Sequence, residues 1–193
     1  MIVSNYEYRL RARASLGGSI FSGMWLMAVL AYAIMGAASS IVAPSVIGIF
    51  LIYGPLQVGM SAICLGIARG KGAVDLADLL KGFLNNYVDN LLLGVISMVK
   101  IFLWSLLFVI PGIAKAYSYA MIYYIKNDHP QYNHEACMKE SERIMSGHRM
   151  RLLLLDLSFI GWAIVGAMCF GIGTLWVGAY IETTRAQFYL TIR

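Results

Sequence analysis

The sequence predicts an all-α polytopic membrane bundle: six transmembrane helices paired as three hairpins, with short amphipathic helices on the cytoplasmic side. Three observations carry that expectation. Of the 193 residues, 60% are hydrophobic and 13% charged, whereas soluble domains are about 25% charged, so lipid must solvate much of the surface. The apolar residues gather in runs long enough to cross a ~30 Å hydrocarbon core. Lysine and arginine crowd one end of those runs, which orients them.

The first two runs, Ile20–Ala38 and Ser45–Ala68, each suit one span, and the second carries no charged residue. The third, Leu91–Ile125, would reach about 50 Å as a single helix at 1.5 Å per residue. It must therefore fold back, and Pro111-Gly112 offers the place, because proline ends the helical ladder and glycine tolerates the turn. Its returning arm, Gly112–Ile125, is the shortest segment. The fourth run, Leu152–Tyr189, poses the same problem, and Gly171-Ile172-Gly173 offers the same answer.

The expected turns, Gly36–Pro44, Pro111-Gly112 and Phe170–Thr174, contain no lysine or arginine. The opposite side holds Arg9, Arg11, Arg13, Arg69, Lys71, Lys81, Lys126, Lys139, Arg143, Arg149, Arg151 and Arg193. That asymmetry places both termini and the charged loops in the cytoplasm of a cell-membrane protein. Three arginines followed by an apolar run and Gly36-Ala37-Ala38 also have the layout of a signal peptide. The run exceeds a signal h-region of ~7–15 residues and takes part in the internal pattern below, so it is read as part of the fold.

At this length one integral membrane domain is expected over residues 1–193. Within it Gly17, Gly82 and Gly147 are equally spaced, each after a charged segment and before an apolar hairpin, which suggests pseudo-repeats at about 9–68, 75–126 and 133–190. In the second charged segment Leu76, Leu79, Leu80, Phe83 and Leu84 fall on one face of a helix, with Asp75 as its N-cap. In the third, Cys137, Ile144, Met145 and His148 form a stripe, with Asn133 as its cap. Such helices either lie on the membrane surface or pack beneath the bundle.

Ionisable residues at membrane depth are costly and therefore functional candidates. Lys100 lies centrally in Leu91–Ile110 and Glu182 near the middle of the last span, so the two are expected to pair and offset each other's burial. Glu182 has rival fates: protonation, a bond to a tyrosine, or Arg185 one turn away on its own helix. Asp156, just inside its span, has Arg149, Arg151 or a neighbouring helix within reach, and Lys100 is an alternative mate for it. Lys115 can snorkel outward. The functional reading of Lys100, Asp156, Glu182 and Arg185 is a polar path or an anionic-lipid site; the structural one is ion pairing that fixes helix packing.

Other constellations are weaker. His134 and Cys137 have the i, i+3 spacing of metal ligands, but no zinc motif surrounds them, and no metal or cofactor is expected. The odd, scattered Cys64, Cys137 and Cys169 are no disulfide framework. Tyr117, Tyr119, Tyr123 and Tyr124 crowd one segment, as in an aromatic belt. Gly59, Ala62 and Gly66 permit close helix approach. The net charge of +5 lies at span flanks, which suits lipid headgroups and excludes nucleic acid as a partner. No nucleophile elbow, zinc-protease motif or phosphate-binding glycine loop is present, so no enzymatic role is expected.

Several strings resemble a bacterial family of integral membrane proteins grouped as domain of unknown function 975: Leu107–Met121 (LFVIPGIAKAYSYAM), Glu135–His148 (EACMKESERIMSGH), Leu154–Trp162 (LLDLSFIGW) and Gly171–Tyr189 (GIGTLWVGAYIETTRAQFY). Gly54–Gly59 (GPLQVG) is similar too, so the resemblance runs from about Gly54 onward. Members often carry proline before the tyrosine that stands here as Tyr180; this chain has Ala179, so no kink is carried over. The resemblance implies a multi-spanning membrane protein. A fainter likeness to the membrane domains attached to some glycerophosphodiester phosphodiesterases implies a lipid setting, by analogy alone. The expected function is thus a non-enzymatic membrane scaffold that binds lipids or a cytoplasmic or membrane protein. The alternative is a small transporter or channel using the intramembrane charges.

Overall fold

The computed structural model describes residues 4–19, 21–42, 46–70, 75–168 and 172–193. Among them there are helices and no strand. Helix α1 (Asn5–Ser15) opens on a capping box, in which the Ser4 hydroxyl accepts from the Glu7 amide and the Glu7 carboxylate accepts from the Ser4 amide at 2.9 Å. Two long helices, α2 (Gly23–Val42) and α3 (Val46–Ala68), follow. A 3-10 turn (Leu76–Leu80) leads into α4 (Lys81–Leu84), α5 (Tyr87–Leu107), α6 (Val109–Ser118) and α7 (Ile122–Asp128). The rest comprises α8 (His134–Met145), α9 (Arg149–Leu157), α10 (Ile160–Met168) and α11 (Ile172–Ile192).

Among the described residues four helical stretches are long and apolar enough to cross a membrane: Gly23–Ser40, Phe50–Ala68, Tyr87–Leu106 and Arg149–Met168. The other two expected spans differ in kind. Gly112–Ile125 is divided between α6 and α7, with a break at Tyr119–Met121. Helix α11 has 21 residues, enough to cross, but Glu182, Arg185 and Gln187 lower its apolarity. It runs unbroken through Ala179. Large apolar side chains nevertheless cover the outer surface of the hairpins: Leu106 is 77% exposed, Ile110 82% and Met168 79%.

The second hairpin turns earlier than Pro111-Gly112. Phe108, extended at φ −157 and ψ 143, separates α5 from α6. Pro111 then occupies the first turn of α6, where its missing N–H costs nothing because first-turn amides have no helical acceptor. Gly112 packs against Ser105 of α5. Of the third turn, Gly171 lies outside the described residues, and Gly173 packs against Gly166 of α10. Of the first, α2 continues past Gly36 to Val42, and Pro44 lies outside the described residues.

Helix α3 is the hub, touching α2, α5, α7 and α11. Pro55 inside it has no N–H, which frees the Leu51 carbonyl; the Tyr87 hydroxyl supplies the missing donor at 3.1 Å. Gly54 lets α5 approach so closely that a Cβ on Gly94 would lie 2.6 Å from the Gly54 Cα. Gly82 rests on the backbone of Pro55 in the same way. The segment Leu76–Leu84 therefore leans on α3, burying Leu79 and Gly82 and leaving Leu80 and Leu84 exposed. Asp75 caps it as expected, accepting from the Ala77 amide at 3.1 Å.

Helix α8 is capped by Asn133, which accepts from the Ala136 amide at 2.9 Å. It buries Cys137, Met138, Ser141, Ile144 and Met145 against α5, α6 and α7. The first helix packs on the last: Tyr8 meets Phe188 with ring centroids 5.2 Å apart, and the Tyr180 hydroxyl donates to the Arg9 carbonyl at 2.9 Å. The Gln187 amide donates both to Ser15 and to the Ala68 carbonyl. Gly17 and Gly147 share positive φ values, +94 and +82, whereas Gly82 is helical.

A polar cavity with two carboxylates and one guanidinium

Polar residues within apolar helices end up on inward faces, because each needs a partner that lipid cannot supply. On α3, Tyr53, Gln57 and Ser61 stand at i, i+4 and i+8 and so share one face. On α11, Glu182 and Arg185 stand one turn apart. Asp156 closes α9, and Tyr117 and Tyr124 come from α6 and α7. These side chains line a cavity of about 360 Å³.

Arg185 organises it. Its Nε donates to Asp156 Oδ1 at 3.2 Å and one Nη to Oδ2 at 2.8 Å, a bidentate grip. The other Nη donates to Glu182 Oε1 at 3.4 Å. The Tyr117 hydroxyl donates to Asp156 at 3.2 Å, and that of Tyr124 to Glu182 Oε2 at 3.1 Å. The network thus holds two carboxylates and one guanidinium. Fully ionised, it carries one surplus negative charge.

Lys100 is absent from this network, and the expected Lys100–Glu182 pair does not form. The Lys100 ammonium contacts Met138 Sδ of α8 at 3.5 Å and lies 6.0 Å from the Tyr119 ring. The reason is rotation: Ser97 and Ile101 turn their side of α5 to the cavity, and Lys100 faces α8. Beside it, Lys115 pairs with Glu142 of α8 at 2.7 Å. The hydrogen bond from Lys115 holds the Glu142 carboxyl below its usual range, with burial opposing.

Outside the hairpins, Asp128 gathers Arg69 at 2.5 Å, the Tyr189 hydroxyl at 3.0 Å and Arg193. Lys126, 4% exposed, donates to the Pro130 and Tyr132 carbonyls and shapes the loop before α8. His129 stacks on Tyr132, centroids 4.7 Å apart. Among the described residues no group of three or more His, Cys, Asp or Glu side chains is placed to hold a metal.

Charge drew attention to Asp156, Glu182 and Arg185 in the sequence, and tyrosine crowding to Tyr117 and Tyr124. Gln57, Ser61 and Ser97 escaped notice because uncharged polar residues barely lower the hydropathy of a run. Their signal was periodic: the Tyr53, Gln57, Ser61 stripe marks an inward face.

The family model described as Protein of unknown function (DUF975) matches residues 106–193. The match makes residues 106–193 similar to that family, over slightly less than half of the 193 residues. The DUF975 segment contributes Tyr117, Tyr124, Asp156, Glu182 and Arg185 to the cavity, and it contains the strings from Leu107–Met121 to Gly171–Tyr189. Gly54–Gly59 and the α3 wall precede the matched residues. No curated protein matches the chain, and no solved structure matches it.

Proposed function

We propose that this chain is a non-enzymatic, membrane-embedded binding module whose internal cavity takes a small organic cation, such as a protonated amine. The observation that carries the proposal is the charge count. Asp156 and Glu182 share the single guanidinium of Arg185 in a cavity faced by Tyr53, Tyr117 and Tyr124. In a low-dielectric bundle a surplus carboxylate charge attracts a cation. Tyrosine faces favour an organic cation through their quadrupoles. In this reading Arg185 orients both carboxylates, Asp156 is committed to it, and Glu182, held at the longer 3.4 Å, is the residue free to change partner.

The test is thermal stability in detergent with methylammonium or tetramethylammonium chloride, at ionic strength matched with sodium chloride. The wild type should melt higher with the organic cation, and Glu182→Gln should lose that gain. An equal gain in Glu182→Gln, or none in the wild type, would refute the proposal. A second reading, a small transporter, is favoured by the same cavity if it opens to both sides. Amine uptake into proteoliposomes, abolished by Glu182→Gln, would select it.

The proposal includes a topology: six segments in three hairpins, termini and charged loops cytoplasmic, with the three glycine-led units as related parts. The apolar stretches and the lysine and arginine asymmetry support it. Single cysteines at Ser40 and Asn133 test it. Labelling of Asn133 from outside intact cells would overturn it.

A further inference from the structure

We propose that Lys100 and Lys115 form a headgroup site for one anionic phospholipid at the foot of the apolar hairpin α5–α6. The proposal rests on insertion of the hairpin α5–α6 to about the depth of one leaflet, rather than on a full crossing by α5, and it does not use the cation cavity as evidence.

Charge comes first. The cluster holds two ammonium groups and one carboxylate. Glu142 is engaged by Lys115 at 2.7 Å, and the nearby Glu140 is engaged by Arg143 at 2.5 Å. Among the described residues the Lys100 ammonium is within contact of a thioether sulfur and a tyrosine face; it acts on Glu142 through space, and the hydrogen bond to that carboxylate comes from Lys115. One positive charge is left over, which matches the single negative charge of a phosphodiester.

The surroundings match the rest of a lipid. Lys115 Nζ lies 5.5 Å from the Trp104 ring and 5.6 Å from the Tyr119 ring, and such aromatics concentrate at headgroup level. Beyond the lysines, Phe102, Leu103, Leu106, Ile110 and Ile113 are exposed and cover the hairpin up to its turn at Phe108. From Lys100 or Lys115 to that turn is about 10–12 Å of helix at 1.5 Å per residue. One leaflet of a ~30 Å core is about 15 Å deep. An acyl chain can therefore lie along the hairpin while its phosphate meets the lysines. The proposal places the turn inside the bilayer. Helix α8 fits that depth, since Lys139 and Arg143 are exposed on the helix that carries Glu142.

The test is native mass spectrometry of the full chain released from nanodiscs of phosphatidylcholine mixed with phosphatidylglycerol. The wild type should retain phosphatidylglycerol preferentially. Lys100→Gln should retain about fivefold less, the scale of one lysine near an anionic surface. Lys100→Arg should retain the preference, and Lys139→Gln should match the wild type. A folded Lys100→Gln that retains as much as wild type would overturn the site. Should that variant fail to fold, photo-crosslinking of wild type with a diazirine phosphatidylglycerol decides: capture on residues 100–115 supports the site, and capture elsewhere only overturns it. Inorganic phosphate that displaces the lipid at equal concentration would show a free-anion site and overturn the lipid assignment. A chain that stays in carbonate-washed membranes without any lipid preference would fail this proposal and leave the membrane placement standing.

Discussion

Arg69, just beyond α3, reaches Asp128 at the end of α7 at 2.5 Å, and Arg193 closes on the second carboxylate oxygen. One carboxylate thus joins three helix ends, because Tyr189 of α11 also donates to it. Burial alone would raise the Asp128 carboxyl, but the hydrogen bonds from Arg69, Tyr189 and Arg193 outweigh it and hold it below the usual carboxylate range. A group depressed in the folded state stabilises above its unfolded pKa, ~3.9, and loses that contribution as pH falls through the lower folded value. Melting temperatures should therefore drop at the acid end of a pH 7 to pH 3 series. Asp128→Asn should melt lower at pH 7 and show a shallower acid drop. Parallel curves for the two proteins would mean the clamp is not formed.

Two glycines should respond oppositely to alanine. A methyl on Gly82 would overlap the Pro55 backbone, which cannot move aside as a flexible side chain could. Gly82→Ala should cost about 1–3 kcal/mol. At Gly36, inside α2, an added methyl would meet no atom of the described residues within 4 Å, so Gly36→Ala should gain about 0.5–1 kcal/mol from helix propensity. Denaturation in matched detergent reads both signs, and a neutral Gly82→Ala would refute the contact.

The cavity network should show coupling where the structure places it. Arg185→Met leaves two carboxylates without their cation and should destabilise by about 3 kcal/mol, the lower end for breaking a buried pair, since Arg185 is 33% exposed. In a double-mutant cycle, Asp156→Asn and Arg185→Met should couple by more than about 1 kcal/mol. Lys100→Met and Glu182→Gln should add within about 0.5 kcal/mol. Strong coupling in the second pair would restore the contact that rotation of α5 rules out.

Cys137 should be inert in the folded protein. It is buried, and burial pushes its thiol up to about 11, so little thiolate exists at pH 8. Iodoacetamide labelling followed by peptide mass spectrometry should modify Cys137 only after denaturation. Rapid native labelling would contradict its burial on the inward face of α8.

The long apolar helices were legible because hydropathy and length act along one dimension, and α2, α3 and α5 begin within a few residues of the expected runs. Caps were legible for the same local reason: Asp75 and Asn133 both do what their side chains favour. What escaped depends on rotation and distance. Depth along a helix made Lys100 and Glu182 look like partners, but depth says nothing about which way a side chain faces. The Asp156–Arg185 grip spans 29 residues and needs α9 to lie beside α11. The turn at Phe108 was misplaced because Pro111 marks either a helix end or a helix start, and here it marks a start.

The packing of α1 on α11 also sets a timetable. Helix α1 emerges from the ribosome before any of the three hairpins, yet Tyr8, the Arg9 carbonyl and Ser15 find their partners on Phe188, Tyr180 and Gln187 of the last helix. Until α11 is threaded in, the Ala68 carbonyl at the end of α3 also waits for Gln187. These contacts can therefore form only after α11 is made, and chains cut before residue 172 should leave Tyr8, the Arg9 carbonyl and the Ala68 carbonyl without these partners.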